Sequence, residues 1–114
     1  MERAAETVDC IVVGAGASGL MAALAATDAG LKVLVVEKDS VVGGTSALSG
    51  GGVWAPGNRF SVAAGQGDTP DAAMTYLEAL CGNRLDRPVA RRFLENCTEA
   101  VAYLEANSGL RFGP

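Results

Sequence analysis

Histidine is absent from all 114 residues. That removes a histidine general base, a histidine metal ligand and any covalent attachment through imidazole within this stretch. Cysteine is scarce. Cys10, Cys81 and Cys97 are too few and too scattered for a disulfide framework or a zinc site, and each sits in an apolar pattern expected of a buried reduced thiol. Positive charge is also short: the formal net charge is −4 and the pI is about 4.6. With no basic tail or lysine run, the chain is a poor match for nucleic acid. No apolar run approaches the roughly eighteen residues of a membrane span. The first residues carry Glu2, Arg3 and Glu6 and show no secretory pattern. A cytoplasmic protein is the default expectation, and no internal repeat is visible.

What is present is globular in composition. Hydrophobic residues make up 49% and mean hydropathy is +0.24, enough for one small domain with a modest core. Residues 1–7 are polar and expected to fray. From Val8 to Val13 a β-branched run without alternation suits a parallel strand covered on both faces. Gly14, Gly16 and Gly19 follow it. Ser18, Leu20, Met21, Leu24 and Ala25 then recur at helical intervals, with Thr27 and Asp28 on the outer side and Gly30 as the cap. A second strand over Val33 to Val36 ends on Glu37. The pattern is a strand–helix–strand unit over residues 8–38 with a dinucleotide fingerprint in its first turn.

The physical logic of that fingerprint concerns a pyrophosphate. A helix start offers unpaired N–H groups and the positive end of the dipole. Gly14 makes the tight turn, Gly16 lets the backbone approach the phosphates, and Gly19 lets helix and strand pack closely. Ala17 and Ser18 lie in the same turn. Glu37, eighteen residues after Gly19, is placed to accept hydrogen bonds from ribose hydroxyls, and its charge disfavours a 2′-phosphate. Lys38 is a flanking candidate contact.

Residues 39–57 are rich in glycine, threonine and serine, yet Val41, Val42, Leu48, Val53 and Trp54 are anchors that a flexible linker does not need. An ordered loop beside a bulky ligand fits better. Residues 58–67 read as loop. Asp68-Thr69-Pro70-Asp71 opens a helix capped by Thr69 or Asp68, with Ala73, Met74, Leu77, Leu80 and Cys81 on one face. Asp86 and Pro88 open a second helix carrying Val89, Phe93 and Leu94. Thr98 is expected to cap a third, with Ala100, Val101 and Leu104 inward, ending near Ser108-Gly109. Leu110 to Phe112 reads as the start of a strand.

Taken together, Gly14-Ala-Gly-Ala-Ser-Gly19, Glu37-Lys38, and Gly43-Gly44-Thr45-Ser46 through Ser49-Gly50-Gly51-Gly52 resemble the FAD-binding domain of the fumarate reductase and 3-ketosteroid dehydrogenase superfamily. The stretch from Gly50 to Asn58 is most similar to the 3-ketosteroid Δ1-dehydrogenase branch. The resemblance implies an α/β fold: a Rossmann-like βαβ FAD-binding unit over residues 8–38, a glycine-rich flavin loop over 39–57 and a helical segment over 68–109. The whole of 1–114 would be the N-terminal part of an incomplete FAD-binding domain. It assigns Ser18 and its neighbouring backbone, Ala17 included, to the pyrophosphate and Glu37 to the ribose, with Lys38 left as a flanking candidate that could equally be solvated. Thr45 and Ser46 would lie along the phosphate–ribityl part, with Gly44 before them a further cofactor-binding candidate, and Gly50, Gly51 and Gly52 beside the isoalloxazine.

Members of this superfamily that bind flavin covalently use a histidine before the double glycine. Here that region reads Gly44-Thr45-Ser46-Ala47-Leu48-Ser49, so noncovalent FAD is expected. The implied reaction is hydride transfer between a substrate carbon and flavin N5, with a ketosteroid or an activated alkene as the small-molecule substrate. No catalytic residue is assigned. Tyr76 and Tyr103 fall on expected amphipathic helices where packing is their duty. The rest of a parent chain is needed for turnover, and two rivals stay open: a soluble fumarate-reductase-type flavoprotein and a non-catalytic, truncated nucleotide-binding fragment.

Overall fold

The computed structural model describes residues 7–113, so the expectation for the first six residues lies outside the described part. In chain order the elements are β1 (Cys10–Val13), α1 (Ala17–Asp28), β2 (Val33–Val36), α2 (Gly44–Leu48), α3 (Arg59–Ala63), α4 (Pro70–Cys81), a 3₁₀ turn (Gly82–Arg84) and α5 (Arg87–Asn107). The chain divides into two compact units, one ending at Gly52 and the other starting at Val53.

In the first unit β1 and β2 pair in parallel, with Cys10 opposite Val33 and Val13 opposite Val36. The connection is α1, as a parallel pair requires a crossover. Asp9 begins the pairing, its carboxylate accepting from the Lys32 N–H at 2.8 Å. Helix α1 lies against both strands. Its half-buried positions include Gly19, Ala23 and Ala26, an i, i+4, i+7 row of small residues. Ser18, Leu20 and Ala25, expected inward, are exposed, because small residues give the closest approach to a β-branched strand surface and the row of Gly19 takes that place.

The strands differ from expectation as well. They are not covered on both faces but alternate: Cys10, Val12, Val33 and Val35 are half-buried, while Ile11, Val13, Leu34 and Val36 are exposed. A strand shows one face to each side, and α1 covers only the face of Val12. Gly30 closes α1 in the left-handed region, with φ of +86°.

The second unit is helical. Its core is Ala73 and Met74 of α4 against Ala90 and Leu94 of α5, with Leu77 and Leu85 packed beside them. Both helices start as their sequences dictate. Thr69 Oγ1 accepts from the Ala72 N–H at 3.2 Å and Asp86 Oδ1 from the Val89 N–H at 3.1 Å, each with proline in the first turn. Asp68 has another duty: its carboxylate accepts from the Gly57 N–H at 3.0 Å and from the Ser61 hydroxyl at 3.1 Å.

Three expectations are corrected here. Residues 58–67 contain α3, capped by Asn58, whose side chain accepts from the Phe60 and Ser61 N–H groups. The second and third expected helices are one, α5 of 21 residues, and Thr98 lies inside it. No glycine or proline interrupts residues 89–107, so backbone propagation costs less than a break and recapping at Thr98. Residues 110–112 form no strand, since side chains already satisfy their backbone: Leu110 N–H donates to Ser108 Oγ at 3.2 Å and Phe112 N–H to Glu105 Oε1 at 3.1 Å. Glu105 also pairs with Arg59 through both guanidinium nitrogens. The three cysteines are free thiols; Cys97 is buried, whereas Cys10 and Cys81 are only half-buried.

Candidate dinucleotide site

The site is the turn between β1 and α1. Gly14 reverses the chain with φ of +100°, a conformation that side chains resist. Its N–H donates to the Val36 carbonyl at 2.7 Å. Ala15 is fully buried, and both of its backbone groups are committed. The N–H donates to Glu37 Oε2 at 2.7 Å, and the carbonyl accepts from the Gly43 N–H at 2.8 Å. Three bonds therefore fix the loop against the end of β2 and the segment after it. Beyond them Gly16 is the extended N-cap of α1, with φ of −78°. Ala17, Ser18 and Gly19 follow as the first helical residues, whose N–H groups have no carbonyl within the helix to meet. That end also carries the positive pole of the dipole.

Glycine is required at Gly19 by space. A Cβ there would lie 1.9 Å from the Gly14 carbonyl oxygen and 3.4 Å from Val12 Cγ1. Gly16 is the opposite case: its φ is ordinary, and a Cβ would meet nothing within 4 Å. Neither the fold of the backbone nor packing within this unit accounts for the absence of a side chain at Gly16.

The segment after β2 closes on the same turn. Glu37 Oε1 accepts from the Asp39 N–H at 3.0 Å, so one carboxylate holds both the glycine loop and the chain leaving β2. The Ala15 N–H first, then the Asp39 N–H, keep its pKa below the ordinary carboxylate value. Gly43 and Gly44 both take positive φ, +115° and +54°, and start the short helix α2. A Cβ on Gly44 would stand 3.3 Å from Gly16 Cα, so α2 begins against the glycine loop. It carries Ser46 to the start of α1, where its Oγ accepts from the Ala17 N–H at 3.4 Å.

The structure thus brings Gly14, Gly16, Ala17, Ser18, Gly19, Glu37, Gly44 and Ser46 to one place, with Thr45 on the exposed first turn of α2. Lys38 is exposed beside Glu37. Gly50, Gly51 and Gly52 form a separate stretch, tied locally by the Gly51 N–H to Ser49 Oγ at 3.2 Å. Sequence reasoning missed Ala15, Asp39 and Gly43, all of which act through backbone atoms. The one residue-level signal was Gly43, the first of a glycine pair immediately before the Thr45-Ser46 hydroxyls.

A family model for an FAD binding domain matches residues 9–114. The chain belongs to that FAD-binding domain family. Among relatives, a 4-oxocyclohex-2-ene-1-carboxylate 5-dehydrogenase of Sinomonas cyclohexanicum is 41% identical over 91% of this chain and 17% of its own length. An NADH:fumarate oxidoreductase of Klebsiella pneumoniae is 36% identical over 90% of this chain and 11% of its own. Among solved structures, the 3-ketosteroid delta1-dehydrogenase of Sterolibacterium denitrificans, in complex with 1,4-androstadiene-3,17-dione, superposes with a TM-score of 0.75. It is 44% identical and covers 88% of this chain and 17% of its own. The chain therefore spans less than a fifth of the length of these relatives.

The residues of this FAD-binding chain fit the cofactor's diphosphate. The loop offers helix-start N–H groups, an open approach over Gly16 and an acid at the end of β2. The described residues contain no cluster of metal-ligating side chains and no helix long and apolar enough to cross a membrane. In the second unit Trp54, 48% exposed, stacks on Phe93 with centroids 5.9 Å apart and meets Tyr76 at 6.0 Å. Tyr76 meets Trp54 but is itself exposed rather than packed into the core.

Proposed function

We propose that residues 1–114 form the N-terminal part of a Rossmann-like FAD-binding domain, and that the protein carrying them desaturates a ring carbon pair next to a ketone. The observation that carries the cofactor reading is the glycine loop fixed by Glu37 and Gly43, with Gly16 open to a ligand and no other reason to be glycine. Support for the substrate class comes from two relatives whose names both specify ketone-bearing rings. FAD, when bound, supplies the two-electron acceptor for hydride at N5. The work of this chain is to bind and orient it. Gly14 through Gly19 hold the diphosphate, Glu37 and Lys38 the adenosine ribose end, and Gly44, Thr45 and Ser46 the phosphate–ribityl part. Gly50, Gly51 and Gly52 run beside the ring system. The attachment is noncovalent, in a cytoplasmic enzyme whose catalytic groups lie outside these residues.

Anaerobic mixing of the protein carrying these residues with a 3-ketosteroid or a 4-oxocyclohexane carboxylate tests this. Bleaching of the oxidised flavin absorbance is expected, and an unbleached flavin with both ketones sinks the reading. The fumarate oxidoreductase relative supports a second reading, reduction of an activated alkene. In that case prereduced protein is reoxidised by fumarate, and ketones leave the oxidised flavin unchanged.

A further inference from the structure

We propose that Glu37 is a positioning residue for the diphosphate as well as an anchor for the ribose. This rests on the FAD reading and deepens it. The carboxylate does not stand free at the end of β2. One oxygen accepts from the buried Ala15 N–H at 2.7 Å and the other from the Asp39 N–H at 3.0 Å. An ionised carboxylate has about four lone-pair sites, so the group keeps acceptor capacity for a ribose hydroxyl while holding its backbone partners.

The bond to Ala15 matters because this residue leads directly into the phosphate-facing amides. Ala15 is pinned on both sides, its carbonyl accepting from the Gly43 N–H at 2.8 Å, and its peptide plane sets the course of the chain into Gly16 and Ala17. A charge-assisted hydrogen bond to a fully buried N–H is the stronger kind, and losing it leaves that donor unsatisfied. The loop then shifts, and the amides that meet the phosphates shift with it. Glu37 so conceived acts on two ligand parts, one directly and one through the backbone.

The two roles separate with a ligand that lacks ribose hydroxyls. Binding of ADP and of 2′,3′-dideoxy-ADP is measured by calorimetry on the apo form of the protein carrying these residues, for the unmodified chain, Glu37→Ala and Glu37→Gln. Loss of the positioning bond is expected to weaken dideoxy-ADP about tenfold in Glu37→Ala. Glu37→Gln, which keeps an acceptor for the Ala15 N–H, recovers most of that loss. Unchanged dideoxy-ADP binding in Glu37→Ala alongside weakened ADP overturns the proposal and leaves Glu37 as a ribose anchor alone. An unmodified protein that binds neither nucleotide overturns the FAD reading and this inference together. Amide exchange on the unmodified apo protein supplies a check independent of the variants: the Ala15 N–H is expected to be protected, and exchange as fast as in the exposed loops overturns the proposal.

Discussion

Gly19→Ala is the sharpest perturbation the structure suggests. In an ordinary helix the exchange is favourable by about 1 kcal/mol. Here the added Cβ would sit 1.9 Å from the Gly14 carbonyl oxygen and 3.0 Å from its carbonyl carbon. Carbon–oxygen contacts rarely fall below about 3.3 Å, so helix or turn must yield by roughly 1.4 Å. The atoms met are backbone, and Gly14 is bonded to Val36 at 2.7 Å, so no flexible side chain absorbs the change. Overpacking of this kind costs up to about 3 kcal/mol, which leaves a net loss of about 2 kcal/mol after the helix gain. In urea, with a slope of about 2 kcal/mol per molar, the unfolding midpoint falls by about 1 M. The same displacement moves the amides proposed to hold the diphosphate, so flavin affinity is expected to fall too. A Gly19→Ala protein with the wild-type midpoint and wild-type affinity for FAD would refute the idea that close approach of α1 to β1 demands glycine.

The other glycine of the turn behaves differently. Gly16→Ala meets no atom within 4 Å and keeps an ordinary φ, so it is expected to cost under about 1 kcal/mol of stability while weakening FAD at least about tenfold, read by flavin fluorescence. Leu94→Ala empties a fully buried side chain in the core of the helical unit, 2% exposed. It should cost about 2–5 kcal/mol in a melt followed by far-ultraviolet circular dichroism. Glu105 is held at a pKa of about 2 against an ordinary 4.5, first by Arg59 and then by the Phe112 N–H. Because the folded value is the lower one, its stabilising contribution is complete above pH 4.5 and is lost as pH falls toward about 2. Urea midpoints across that window should fall less steeply for Glu105→Gln than for wild type; parallel curves would count against the pairing.

The βαβ unit was legible because two independent signals coincide in it: β-branched runs at strand length and glycines at a fixed spacing. The helix starts at Thr69 and Asp86 were legible for a similar reason, a polar residue one or two positions before proline. What escaped was structure held by the backbone or by distant partners. Helix α2 begins at two glycines, which sequence rules read as loop, and forms where it packs against Gly16. Helix α3 follows Asn58 and is steadied by Asp68, ten residues after Asn58. Thr98 carries the side chain of a cap, yet an uninterrupted helix on either side overrode it. In the site, Glu37 was visible as an acid at a strand end. Its bond to Ala15 was not, since an amide donor has no residue type.

The attachment of the glycine loop to β2 has a thermodynamic corollary. Gly14 and Ala15 bond to Val36 and Glu37, so the loop takes its form only when the two strands are paired. A ligand that selects this loop then selects the paired state, and its binding energy adds to the stability of the strand pair by mass action. At a free cofactor concentration a hundred times its dissociation constant, the gain is about 2.7 kcal/mol. The supply of FAD thereby becomes a determinant of how long the folded protein persists in the cell, apart from any part it takes in turnover.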